Sequence, residues 1–193
     1  MSEVKSVLFV GVGGQGTILA GKILTAGLIS GGYDVKMSEV HGMAQRGGSV
    51  TTQVRFGEKV LSPLIGEGAA DVLVAFEKME ALRVINGLKK DGIVIVNDYE
   101  MPSMPILTGA FDYPKGIMEE ITSHAKTFSM DADGIARSVE NPRGMNVVLL
   151  GALIKALGLC EQINWEAAIA QAVKPQFVES NIKALHAGMA AVK

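Results

Sequence analysis

The sequence predicts an α/β, Rossmann-like domain with a mainly parallel sheet, an inserted β-hairpin and C-terminal helices. Three observations carry this. Residues 7–10 form a short apolar run that enters the glycine-rich turn Gly11-Val12-Gly13-Gly14-Gln15-Gly16 and then a helical pattern. Two further apolar runs, 71–77 and 93–96, flank a second helical pattern. Beyond about residue 140 the apolar periodicity is helical only.

Each element follows from its own residues. The run 7–10 reads as a buried strand. After the glycine turn, Ile18, Leu19, Ile23, Leu24 and Leu28 recur at helical spacing, and Gly31-Gly32 closes that helix. Residues 33–40 read as a second strand, completing a β-turn-α-β unit that opens a doubly wound sheet. Residues 41–49 are a loop rich in glycine. Val50, Thr52, Val54 and Phe56 then alternate with Thr51, Gln53 and Arg55, the period of a half-exposed strand. Gly57-Glu58-Lys59 is expected to turn the chain into a returning strand over 60–65. Residues 71–77 are a buried strand, 78–88 a helix and 93–96 another strand. Pro102, Pro105 and Pro114 mark an irregular stretch, and 126–131 reads as the last strand. Residues 145–157 form a strongly apolar helix. Asn164 caps a helix over 165–173, and Pro175 separates it from a last helix over 176–192. The expectation is one domain over 1–193, with an α/β core at 1–140 and a helical segment at 141–193.

Composition excludes several classes. The formal charge is −2 with no basic block, against binding nucleic acid through its phosphates. A single cysteine, Cys160, cannot form a disulfide framework, a zinc site or an iron–sulfur cluster. His41, His124 and His186 are widely spaced and give no metal-ligand pattern. No apolar run has the length of a membrane span or a signal core, so a cytoplasmic protein with no membrane contact is expected.

Two loops carry the candidate chemistry. In Gly11-x-Gly13-x-x-Gly16, glycines let the backbone approach a phosphate while the following helix presents free N–H groups to it. The same pattern serves a tight turn with no ligand. A dinucleotide site also wants an acid about 20 residues on, and Glu39 falls a little late. In the second loop, Arg46 beside Gly47 and Gly48 can aim a guanidinium at a phosphate or carboxylate, and this loop should lie beside the first turn at the carboxyl ends of the strands. The remaining candidates read as structural. Cys160 is an incidental thiol at a helix end, His124 and His186 are surface helix residues, Asp131 and Asp133 suit a helix cap, and Asn146 suits a cap for the apolar helix. No Ser-His-Asp arrangement is legible.

Gly11-Val12-Gly13-Gly14-Gln15-Gly16 resembles the G-x-G-G-Q-G opening of the gamma-type subunits of the 2-oxoacid:ferredoxin oxidoreductase family. Met43-Ala44-Gln45-Arg46-Gly47-Gly48-Ser49-Val50 is similar to that family's second signature, in the form of its indolepyruvate branch. Ser62-Pro63-Leu64-Ile65, the segment 71–77 and Met145-Asn146-Val147-Val148-Leu149-Leu150-Gly151 extend the resemblance over nearly the whole chain. The resemblance implies an enzyme of aromatic amino acid catabolism that converts an arylpyruvate, coenzyme A and oxidised ferredoxin to an aryl-acetyl-CoA, carbon dioxide and reduced ferredoxin. It implies that thiamine diphosphate and iron–sulfur clusters sit on a large partner subunit, and that this chain holds no metal and no catalytic residue. The cofactor-binding residues expected here are Gly11, Gly13, Gly14, Gln15, Gly16 and Thr17 with Gln45, Arg46, Gly47, Gly48 and Ser49, holding the phosphates of coenzyme A. The alternatives are the equivalent subunit of a pyruvate, 2-oxoisovalerate or 2-oxoglutarate enzyme, a free-standing NAD(P)-binding oxidoreductase, or a scaffold whose glycine loops pack on the partner. Without its partner the chain should be inactive and self-associate through an exposed apolar face.

Overall fold

The computed structural model describes residues 4–42 and 48–192. Six strands form one sheet: β1 (Lys5–Val12), β2 (Asp34–His41), β3 (Ser49–Gly57), β4 (Ala70–Ala75), β5 (Leu88–Asn97) and β6 (Lys126–Met130), in the order β2-β3-β1-β4-β5-β6. β1, β4, β5 and β6 run parallel, and β3 is antiparallel to both of its neighbours. The helices are α1 (Thr17–Ser30), α2 (Lys78–Val84), α3 (Met104–Leu107), α4 (Ile117–His124), α5 (Ala132–Ser138), α6 (Met145–Ala156), α7 (Trp165–Ala172) and α8 (Val178–Ala191).

Strand parity sorts the core into two layers. Val7 and Phe9 of β1, Val72 and Val74 of β4 and Ile95 of β5 face α1, α5, α6, α7 and α8. Leu8, Val10, Leu73, Ala75, Val94 and Val96 face α2 and α4 on the other side. β1 is buried on both faces after Lys5, which is why its sequence is a continuous apolar run instead of an alternation. α6 is apolar nearly all round because it lies between the sheet and α8. Glycines permit that crossing: a Cβ at Gly151 would stand 2.1 Å from the Leu185 carbonyl oxygen, and one at Gly188 would stand 1.9 Å from that of Val148.

The sheet corrects the expected strand order. β2 does not neighbour β1; β3 lies between them, so the chain leaves α1 for the sheet edge and returns antiparallel. The inserted hairpin is therefore β2–β3. The expected return strand at 60–65 is irregular chain. With both edges of β3 hydrogen-bonded, no edge is left for it to pair with. The segment instead crosses the sheet face, held by Arg55 Nη1 donating to the carbonyls of Ser62 (3.1 Å) and Leu64 (3.2 Å) and by the Ile65 N–H donating to Gln53 Oε1 (2.6 Å). The helix expected over 78–88 ends at Val84 and a 3-10 turn over Ile85–Gly87, because Leu88 already begins β5. Three helices in the stretch after β5, α3, α4 and α5, were not legible from periodicity. α3 and α5 are too short to show it, and α4 signals itself only through the pair Ile117 and Ile121. The caps read from sequence are present: Asn164 Oδ1 accepts from the Ala167 N–H at 3.0 Å and Asp131 Oδ1 from the Gly134 N–H at 2.8 Å.

Candidate functional site

The glycine turn connects the end of β1 to α1, and each glycine in it has a distinct cause. Gly11 is a packing glycine: a Cβ there would meet Phe76 Cβ at 2.9 Å. Gly14 and Gly16 have φ of 100° and 83°, conformations that cost an L side chain roughly 1–2 kcal/mol. Gln15 braces the turn from within, since its Oε1 accepts from the Val12 N–H (2.7 Å) and its Nε2 donates to the Phe76 carbonyl (3.2 Å). The turn is also tied from outside. The Gly13 N–H donates to the Gly48 carbonyl at 2.8 Å, and Asn146 Nδ2 donates to the Gly16 carbonyl at 3.2 Å. Asn146 is thus not the cap of α6, which Gly144 provides; it is a buried strut from α6 to the start of α1.

Gly13, Gly14, Gly16 and Thr17 open into a groove of about 640 Å³ that His41, Gly42, Val50, Ile18, Leu19 and Lys22 also line. On the other side of the turn, Gly13, Gly14 and Gln15 share a second groove of about 500 Å³ with Tyr99, Met101, Asp133 and Arg143. A third, of about 520 Å³, adjoins the first at Leu19 and Ala172 and the second at Arg143, and adds Lys174, Phe177 and Asn181. Lys22, Arg143 and Lys174 are exposed and, among the described residues, form no ion pair. Lys22 and Arg143 thus line grooves that open on the glycine turn at the positive end of the α1 dipole, and Lys174 lines the adjoining third groove, an arrangement suited to a ligand with several anionic groups. Arg143 stands on a loop that opens at Glu140, whose φ of 60° makes it the sole non-glycine with positive φ among the described residues.

The sequence-predicted residues converge in part. Gly13, Gly14, Gly16 and Thr17 line the groove, and the second loop meets them through Gly48 and through His41, Gly42 and Val50. Ser49 instead donates its hydroxyl to Glu80 Oε2 at 2.5 Å. Gln45, Arg46 and Gly47 lie outside the described residues. Glu39 is exposed in the middle of β2, two strand spacings or about 10 Å from β1, so it does not take the place of the acid in a dinucleotide site. Lys22, Arg143 and Lys174 were missed because single cations at unrelated positions carry no periodic or motif signal.

The sequence matches the family model for pyruvate ferredoxin/flavodoxin oxidoreductase over residues 6–191. The chain belongs to that family. It is 40% identical to the indolepyruvate oxidoreductase subunit IorB of Thermococcus kodakarensis and 39% identical to that of Pyrococcus horikoshii, in each case over 97% of this chain and 96% of the relative. The pyruvate/ketoisovalerate oxidoreductases common subunit gamma of Pyrococcus abyssi is 32% identical over 92% of this chain and 91% of its own. The fold is that of the pyruvate oxidoreductase subunit PORC from Thermotoga maritima, with a TM-score of 0.74 at 23% identity over 99% and 98% of the two chains. It also matches 31% of the chain of a 2-oxoglutarate:ferredoxin oxidoreductase from Magnetococcus marinus, solved with 2-oxoglutarate, coenzyme A and succinyl-CoA bound. There the TM-score is 0.75 at 18% identity, over 99% of this chain. Members of this family are subunits of oxidoreductases, and this chain is one.

Proposed function

We propose that this chain is the small subunit of a cytoplasmic indolepyruvate (arylpyruvate):ferredoxin oxidoreductase and that its glycine-turn groove contacts coenzyme A. The observation that carries the substrate branch is the near-full-length identity of 39–40% to two indolepyruvate oxidoreductase subunits, against 32% to the pyruvate/ketoisovalerate subunit. With one cysteine in the sequence, and no group of three or more metal-ligating residues among those described, the electron-transfer clusters are assigned to a large partner subunit, together with thiamine diphosphate. Ferredoxin is the acceptor of the complex. Among the described residues no helix is long and apolar enough to cross a membrane.

The coenzyme A contact is supported by chemistry near the glycine turn. Coenzyme A carries phosphates on a long flexible arm, and the grooves offer a helix N-terminus with Lys22, Arg143 and Lys174 along their length. Each phosphate near a helix N-terminus gains roughly 0.3–1 kcal/mol from the dipole alone. The residues in the named roles are Gly11, Gly13, Gly14, Gln15, Gly16 and Thr17 with Gln45, Arg46, Gly47, Gly48 and Ser49. Gly11 and Gln15 act by shaping the turn, and Ser49 by its bond to Glu80. The domain reading is a single gamma-type domain over 1–193. Exposed apolar side chains, among them Leu61, Leu64, Met104, Leu107 and Phe111, support self-association of the isolated chain.

The test is anaerobic purification of the tagged chain from its native host, with mass spectrometry of its partners, an absorbance spectrum and turnover of indolepyruvate, pyruvate and 2-oxoglutarate. The expected result is a brown complex with one large partner that turns over indolepyruvate fastest. A colourless protein without a partner overturns the subunit reading, and faster turnover of pyruvate or 2-oxoglutarate overturns the substrate branch.

A further inference from the structure

Glu77 is fully buried at the end of β4, and no cation pairs with it among the described residues. Burying a carboxylate is costly unless it is fully hydrogen-bonded. Its Oε2 accepts from the Glu80 N–H at 2.9 Å, which caps α2. Its Oε1 accepts from two groups twelve residues apart in the chain, the Met101 N–H at 3.2 Å and the Tyr113 hydroxyl. Burial, and then the bond to Glu77, push the Tyr113 phenol well above its usual range, so it stays a donor. A helix cap alone needs only the first of these bonds.

The chain between the two ends is a compact excursion. Within it, α3 and the turn that follows are bonded to themselves, as in Leu107 N–H to Ser103 carbonyl (2.9 Å) and Ala110 N–H to Pro105 carbonyl (2.9 Å). This is an Ω-type loop, with its ends joined on one carboxylate. Its entry is fixed a second time at the same strand end: the Lys78 N–H donates to the Tyr99 carbonyl at 3.1 Å, and Lys78 Nζ lies 3.0 Å from Asp98 and 2.9 Å from Glu100. Tyr99 and Met101, at that entry, line the groove beside Gly13, Gly14 and Arg143. The residue before Glu77 holds the opposite wall, because the Phe76 carbonyl accepts from Gln15 Nε2. One strand end therefore ties both walls of this groove.

We propose that Glu77 is a positioning residue: its carboxylate staples the 101–113 loop and so sets the distance of the Tyr99 and Met101 wall from the glycine turn. The effect on ligand binding rests on the coenzyme A reading above; the stapling does not. The experiment compares wild type, Glu77→Gln, Tyr113→Phe and Arg143→Gln in the assembled oxidoreductase, by amide hydrogen exchange and by the KM for each substrate. In Glu77→Gln, exchange over 101–113 rises at least about tenfold, the factor expected from losing one bond to a charged group, while α6 and α8 keep their protection. The KM for coenzyme A rises about tenfold and that for the 2-oxoacid does not, a smaller change than the roughly hundredfold that a 1 Å misplacement can cost a reacting group. Tyr113→Phe, which removes one hydroxyl and keeps the carboxylate, shows the same pattern in smaller degree and covers the case in which Glu77→Gln fails to assemble. Unchanged exchange over 101–113 overturns the staple. Raised exchange with an unchanged KM for coenzyme A, while Arg143→Gln raises it, overturns the positioning role and leaves the coenzyme A reading standing. If no variant, Arg143→Gln included, moves that KM, the coenzyme A reading falls and the positioning role with it.

Discussion

Gly16→Ala tests whether the glycine turn is held by its backbone conformation and by the Asn146 strut together. Gly16 has φ 83° and ψ 24°, and a left-handed alanine costs roughly 1–2 kcal/mol. The added Cβ would also stand 2.7 Å from Asn146 Nδ2. That amide must swing away and lose its bond to the Gly16 carbonyl, at about 1–2 kcal/mol for a buried group parted from its partner. The single variant should lose about 2–4 kcal/mol in all. At roughly 2–4 °C per kcal/mol for a domain of this size, the melting temperature falls by about 4–16 °C. Asn146→Ala alone costs about 1 kcal/mol, because the Gly16 carbonyl still accepts from the Ala20 N–H at 3.1 Å. The double variant keeps the backbone strain and removes the clash, so it should be more stable than the sum of the singles by about 1–2 kcal/mol. Thermal or urea melts of the four proteins measure this coupling. Strict additivity, within about 0.5 kcal/mol, refutes the clash, and a neutral Gly16→Ala refutes the conformational requirement as well.

Two further outcomes follow from the packing and the charges. Gly188→Ala places a Cβ 1.9 Å from a backbone carbonyl that cannot rotate away, so α8 must lift from α6 at a cost of about 1–3 kcal/mol or more; an unchanged melting temperature would show that this crossing is loose. Asp34 is held below the ordinary carboxyl value of 3.8, first by Lys36 at 2.6 Å and then by the Val60 N–H at 2.8 Å. The sign follows from the lowered folded-state value: its contribution is complete above the unfolded value and is lost as pH falls through the folded one. Asp34→Asn should therefore flatten the stability profile only below about pH 4. A carboxyl titration of Asp34 by NMR with a midpoint at or above 3.8 would contradict the tether between β2 and the 58–69 segment.

Local physics made much of this protein readable in its sequence. A strand buried on both faces must be continuously apolar, so the start of β1 and the run of β4 stood out. A helix between a sheet and another helix must be apolar all round, and α6 was. Glycine is the residue that takes φ of 83–100° without strain, so Gly14 and Gly16 marked the turn. Asn164 and Asp131 cap their helices by bonds three residues long. What the tertiary structure alone decided are relations between distant residues, which leave no period and no short-range pattern. Val50 to Phe56 alternate equally well beside β1, β2 or a return strand, and only the competition for hydrogen-bonding edges placed β3 between β1 and β2. The same holds for the site. Asn146 lies 130 residues from the carbonyl it braces, Lys22 and Arg143 reach the grooves of one turn from distant parts of the chain, and Glu77 gathers Met101 and Tyr113 because a buried carboxylate must find donors wherever the fold brings them.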